Sequence, residues 1–404
     1  MGWNVVNQIA RFHDAWVITS VDNRDHIKEA LKENPSDNPR YCYFGVPKGH
    51  TMLWGIPGVI QFYTYLWQAG IYFAARRLHK RHKFDLFHHV TFANDWMASF
   101  VGALLPVPYV RGPGGGAQKV PAAFLRDYTF IGRVWERLRS IGQWLFRHDP
   151  FFVRGQQRAS AILLCNPETM ASVPDRWQPK VSLFPVNGVN SHDIQLLSPQ
   201  MDKPAEDTFK VFSAGRLIRL KGFHLAIRAF APLAAKSPDV VLEIVGDGPE
   251  EAFLRDLIRQ SGLEGRVRLL PWMNRDDYLR TLCGCDVFLF TSLRDGGGAV
   301  VVEAMAAGKP VVCLDLGGPA LHVTEDCGIK VAADNPDQSV NDLAQALESL
   351  HGDRDLRSRM AESARRRAND IYHWDRLGDR LNDIYRQALS PETAGAKLPD
   401  WRTN

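Results

Sequence analysis

The stretch DVFLFTS (286–292), LRDGGG (293–298), AVVVEAMAA (299–307), GKPVVCLDLGG (308–318) decides the fold. Residues 286–292 form an apolar, β-rich run of strand length. Residues 294–298 are a loop, 299–307 a short apolar helix stopped by Gly308 and Pro310, and 310–316 the next buried strand. Three glycines at the mouth of a helix let a ligand approach the backbone closely. The free N–H groups and the positive end of the helix dipole there favour an anion, phosphate above all. Two carboxylates frame the loop, Asp295 before the glycines and Glu303 inside the helix, with seven residues between them.

The same unit occurs upstream. Residues 209–214 read as a strand, followed by GRLIRLKG (215–222) and a helix from about 223. Arg216 offers a planar fork and Lys221 a point charge at the mouth of this unit, a pairing suited to a diphosphate. Strand 240–245 runs into the turn GDGP (246–249), whose glycines read first as structural and second as letting the chain pass close to a ligand at Gly246. A short strand at 267–271, an edge strand at 328–332 and helices at 276–283, 337–349 and 354–371 complete this half. Helix 374–389 carries Leu377, Leu381, Ile384 and Tyr385 at helical spacing, and 391–404 reads as a frayed tail.

The first half alternates in the same way, with strands at 14–20, 40–46, 84–92, 108–116, 159–165 and 180–185. Helix 60–83 is aromatic and ends in Arg76, Arg77, Lys80, Arg81 and Lys83. These charges either complement the helix dipole or meet an anionic membrane. Strand 84–92 holds His88 and His89, which point to opposite faces, so at most one reaches a cleft. PYVRGPGGG (108–116) is a strand entering a second glycine-rich loop: a tight turn, or a place where a ligand approaches the backbone near Arg111 and Gly114 to Gly116. Helix 130–147 is amphipathic, with Trp135, Leu138, Ile141, Trp144 and Leu145 on its apolar side. Asn187 to Asn190 closes the half, and the polar residues up to Lys203 read as linker and hinge. Strand–helix alternation in both halves predicts an α/β fold with two parallel sheets.

At 404 residues the chain is long enough for two domains, and its 45% hydrophobic and 23% charged content is ordinary for a soluble protein. A net charge of +4 makes no case for nucleic acid. The six cysteines are scattered, as expected of reduced thiols in the cytoplasm. Asp353-Arg354-Asp355 reads as surface, and no metal site is expected.

The Asp295/Glu303 spacing resembles the E-x7-E signature of retaining, family-4-type glycosyltransferases of GT-B architecture, with Asp295 one methylene shorter than the usual Glu. GRL…KG at 215–222 and GDGP match that family too, and HHVTF with YVRGPGGG resembles a subset of it. The resemblance implies two Rossmann-like domains, 1–190 (plus 374–404) and 191–373, with the last helix crossing back to the first. It implies transfer of a sugar from a UDP- or GDP-sugar to a hydroxyl acceptor, with no permanently bound cofactor and no metal; the basic aromatic helix 60–83 points to a glycan or lipid-linked acceptor, in polysaccharide or surface-glycan synthesis. By resemblance, Arg216, Lys221 and the N–H groups of Gly297 and Gly298 hold the diphosphate, with Gly246 lining that site. Glu303 holds the ribose and Asp295 the donor sugar. His89 faces the cleft, with His88 as the packing alternative, and Arg111, Gly114 and Gly115 lie on the acceptor side. Relatives carry a strand and glycine-rich loop ahead of a helix like 2–11, so an N-terminally short chain is expected. The location implied is cytoplasmic, with peripheral contact at the inner face of the membrane. A nucleotide-sugar 2-epimerase of the same architecture and an inactive nucleotide-sugar-binding protein are the alternatives.

Overall fold

Near-continuous apolar runs become strands covered by helices on both faces, because a parallel sheet has no solvent side. The computed structural model describes residues 2–45, 59–91, 94–197 and 208–390. Twelve strands are defined among them: β1 Trp16–Ser20, β2 Arg40–Phe44, β3 Phe87–His89, β4 Tyr109–Gly114, β5 Ala159–Leu164, β6 Val181–Leu183, β7 Phe209–Ala214, β8 Val240–Val245, β9 Val267–Leu270, β10 Val287–Phe290, β11 Val311–Leu314 and β12 Gly328–Val331. Every pairing among them is parallel.

The second half is one six-stranded sheet in the order β12-β11-β10-β7-β8-β9. Chain order reverses between β7 and β10, and ligands of open α/β sheets bind in the crevice beyond the carboxyl ends of the strands at such a point. One face is covered by Phe223, Leu254, Leu343 and Leu347, the other by Leu279, Val301, Met305 and Tyr372.

The first half is divided into a two-stranded sheet, β1-β2, and a four-stranded sheet, β3-β4-β5-β6. Residues of β1 and β3, among them Trp16, Ile18, Phe87 and His89, line a cavity of about 790 Å³ between the two. Helix Trp374–Leu389 returns to this half: Leu377 and Leu381 pack on Val110 and Leu163 and on Val5 and Ile9 of helix Gly2–Ala10. The two crossings between halves run side by side. Val189 N–H donates to Tyr372 O at 2.9 Å, and Trp374 N–H to Val189 O at 2.9 Å.

Two expectations need correction. The linker begins with a helix, Ser191–Leu197, because the Asn190 side chain accepts the Asp193 N–H at 2.8 Å and Leu197 is buried. The strand expected from residue 84 starts only at Phe87, because the Phe84 ring packs instead on Trp16 and His82 at the end of helix Val59–His82. The linker residues 198–203, the strand ends at Val46 and Phe92, and the tail from Pro391 lie outside the described residues.

Candidate active site

The loops leaving β7 and β10 meet where the strand order reverses. Gly222 is left-handed (φ 66°), and a Cβ there would lie 2.1 Å from Thr291 O, so only glycine permits the crossing. Thr291 Oγ1 locks it by donating to Gly222 O at 2.8 Å. The crossing delivers Lys221 to the second loop, where its Nζ donates to Asp295 Oδ2. Asp295 Oδ1 accepts the N–H groups of Gly297 at 3.1 Å and Gly298 at 2.7 Å. Burial pushes the Asp295 carboxyl up, but the Lys221 charge and these hydrogen bonds outweigh it and hold the group below its ordinary value. An ionised carboxylate therefore occupies the mouth of helix Ala299–Ala306. The N–H groups expected to stand free for phosphate are satisfied by Asp295 in this state.

Residues that sequence reasoning did not single out hold this loop. His322 Nε2 donates to Gly297 O at 2.7 Å, and its Nδ1 lies 3.0 Å from the Tyr372 hydroxyl. Burial lowers its pKa to about 4, so the ring is neutral at pH 7. The first half also reaches these loops from across the cleft. Asn166 Nδ2 donates to Gly296 O at 3.1 Å, Glu168 Oε1 accepts Gly317 N–H at 2.6 Å, and Glu136 Oε2 pairs with Arg294 Nη1 at 2.5 Å. Gln118 Nε2 is buried with no hydrogen-bond partner among the described residues, and a Cβ on Gly296 would lie 3.2 Å from it. Such long-range pairs leave no local pattern in sequence.

The remaining expected residues fall in different places. Arg216 is exposed at the same mouth, and its side chain has no hydrogen bond or ion pair among the described residues. Glu303 is buried one helix turn from the loop, but its Oε1 accepts from Arg275 Nη1 at 2.9 Å, and Arg275 also pairs with Asp193 at 2.8 Å. Burial raises the Glu303 pKa despite that arginine. Gly246 (φ 151°) lets the turn after β8 cross against Gly215, where a Cβ would lie 1.9 Å from Gly215 O.

In the first half, the Gln68 amide donates to His89 Nε2 at 3.1 Å, and burial lowers the His89 pKa to about 3. No hydrogen bond or ion pair joins His89 to Lys221 or Asp295. His88 bridges Gly112 O and the Tyr385 hydroxyl, each at 2.6 Å. Arg111, expected beside a sugar, is instead 1% exposed. Its Nη2 donates to the carbonyls of Met97 at 2.9 Å and Asn94, and its guanidinium lies 4.8 Å from the Phe152 ring centroid. That enclosure makes it a structural tie. Gly114 pairs with Leu164 within the sheet, and Gly115 lies where a Cβ would come 2.6 Å from Cys165 Sγ. Asp353 caps helix Arg354–Tyr372 by accepting Leu356 N–H at 2.8 Å.

Residues 198–367 match the family model described as glycosyl transferases group 1. An uncharacterized glycosyltransferase of Methanocaldococcus jannaschii is 26% identical over 328 residues, covering 76% of each chain. The lipopolysaccharide core biosynthesis glycosyltransferase LpsE of Rhizobium meliloti is 33% identical over 192 residues, 47% of this chain and 52% of LpsE. The chain thus spans three quarters of the first relative and about half of the second. In fold, it resembles sucrose-phosphate synthase of Thermosynechococcus elongatus, with a TM-score of 0.63 at 18% identity, over 95% of this chain and 91% of that one. HepE of Anabaena, solved in complex with UDP, matches with a TM-score of 0.59 at 18% identity over 95% of each. The second half of the chain thus matches the group 1 glycosyltransferase model, and the chain as a whole has the GT-B architecture of parallel α/β sheets in two halves.

Proposed function

We propose that the protein transfers a hexosyl group from a nucleoside diphosphate sugar to a hydroxyl of a glycan or lipid-linked acceptor, with retention, in surface-glycan synthesis in the cytoplasm. The observation that carries this reading is the cluster of Lys221, Asp295 and the Gly297 and Gly298 N–H groups at the point where strand order reverses. It is supported by the UDP bound to HepE and by the lipopolysaccharide role of LpsE. The domains are divided at residue 190, and helix Trp374–Leu389 is returned to the first.

Arg216, open to solvent and unpaired among the described residues, and Lys221 supply positive charge to the diphosphate. As the bond from the sugar's anomeric carbon to the phosphate oxygen breaks, that oxygen gains negative charge, and pre-placed cations stabilise it without reorganisation. The acceptor oxygen bonds to the anomeric carbon on the face the phosphate leaves, and its proton passes to the departing phosphate. Asp295, kept ionised by Lys221, accepts hydrogen bonds from the sugar hydroxyls. Glu303 offers its carboxylate to the ribose once Arg275 shares it. The charges come from side chains, and no step requires a metal. Motion about the paired crossings at Val189 and Trp374 opens and closes the cleft.

Thermal stability against UDP-, GDP- and ADP-sugars tests the reading. Ligand at 100 times its dissociation constant stabilises the native state by about 2.7 kcal/mol. One donor should raise the midpoint, and Arg216→Ala and Lys221→Ala should each abolish that rise. Equal shifts in both variants and the wild type would remove the cluster from donor binding, and free epimerised sugar formed without acceptor would replace transfer by epimerisation.

A further inference from the structure

Helix Phe130–Arg147 is bound to the protein by its polar side. Arg139 Nη2 and Gln143 Nε2 donate to Gly116 O, each at 2.7 Å, Glu136 pairs with Arg294, and Arg147 pairs with the buried Asp95. Facing solvent are Phe130, Ile131, Trp135, Leu138, Ile141 and Trp144, with exposures from 46% to 74%. On a wheel of 100° per residue these six occupy one contiguous side, about half the helix surface. The usual arrangement, apolar stripe inward, is reversed.

An apolar face of this size on a soluble chain marks a contact surface, and its composition selects the partner. Two tryptophans lie among aliphatic side chains, and Arg133 and Arg137 are exposed along one border of the face. The adjoining helix Val59–His82 touches this one through the Tyr65 and Phe146 rings, 6.0 Å apart. It exposes Phe62, Leu66 and Phe73 in a second stripe and ends in the exposed Arg76, Arg77, Lys80 and Arg81. Apolar and indole side chains flanked by cations match the acyl–headgroup boundary of an anionic bilayer. No described helix is long and apolar enough to cross a membrane. We propose that helix Phe130–Arg147 lies in the surface of an anionic lipid bilayer, apolar side down, and holds the cleft against it.

The inward side of the same helix grips the cleft. It holds the Gly116 carbonyl on one loop and, through Glu136, Arg294 beside Asp295 on the other. Docking would therefore set the acceptor side of the cleft at the membrane surface, where a lipid-linked hydroxyl lies; this last step alone rests on the reading as a transferase.

Sedimentation with phosphatidylglycerol and with phosphatidylcholine vesicles, without any sugar donor, tests the docking independently of the transfer reaction. The wild type should pellet with phosphatidylglycerol vesicles. Trp135→Glu/Leu138→Glu/Ile141→Glu should lower partitioning by at least about tenfold, with an unchanged melting midpoint because these side chains are exposed. Arg133→Ala/Arg137→Ala should lower it by about fivefold per arginine, on the anionic vesicles only. Failure of the wild type to bind phosphatidylglycerol, or equal binding by the triple variant, would overturn the proposal. So would a wild-type dimer that the triple variant converts to monomer, because the face would then belong to a second copy.

Discussion

Helices Phe130–Arg147 and Trp374–Leu389 are almost the same length, and both are amphipathic, yet they face opposite ways. The later helix buries Trp374, Leu377, Leu381 and Tyr385 against the first-half sheet and leaves its charges outside. The earlier one turns Glu136, Arg139, Gln143 and Arg147 inward, with Gln143 buried, and leaves its apolar side outside. Periodicity therefore specifies a helix and its two sides, while the neighbours decide which side goes in. The sheet face above β4 and β5 is apolar and accepts leucines. The cleft loops present carbonyls and charges and accept arginine and glutamine.

The sharpest way to break this contrast is truncation of one leucine in each helix. Leu381→Ala should cost about 2–5 kcal/mol in denaturant unfolding, because it leaves a cavity in a packed core. Leu138→Ala should stay within about 0.5 kcal/mol, because water already surrounds that side chain. Comparable losses in the two variants would mean that the exposed side is covered in solution.

The inward polar side can be weighed by itself. A double-mutant cycle on Glu136→Ala and Arg294→Ala should give a coupling of about 0.5–3 kcal/mol, since both side chains are mostly buried and touch. A coupling of zero would mean that this helix does not hold the loop beside Asp295.

Acid should loosen the later helix's seat through His88, which joins its Tyr385 to Gly112. Burial lowers the His88 pKa from 6.5 to about 4. The unfolded chain binds the proton more tightly, so stability is full above pH 6.5 and falls as pH drops toward 4. His89 and His322, lowered to about 3 and about 4, act in the same direction. The melting midpoint should decline across that window. In His88→Gln the decline should be the smallest change among these experiments, shallower by one residue's share; an identical profile would exclude His88.

Much of this was legible along the chain. Strands at 209–214 and 240–245 and helices at 130–147 and 374–389 coincide with their observed bounds, because long periodic or wholly apolar runs have one reading. Helix Pro150–Arg158 went unread although its signal was present: Asp149 is the N-cap, accepting Phe151 N–H at 2.6 Å, and Pro150 follows at the first helical position. Arg111 was misplaced because a strand arginine beside glycines looks the same in sequence whether it meets a ligand or, as here, two carbonyls and a phenyl ring.

By itself, the sequence determined the α/β alternation, the glycines at the two loop crossings, the charged residues at the mouths of the second sheet and the amphipathic sides of the helices. Those depend on backbone geometry and on spacing within a few residues. Only the tertiary structure decided that Lys221 and Asp295 pair across 74 residues, that Arg275 takes Glu303, and that helix Phe130–Arg147 turns its apolar side to solvent. Each of these is settled by the charge, volume and hydrogen-bonding needs of a neighbour brought in from a distant part of the chain, and no local pattern carries that information.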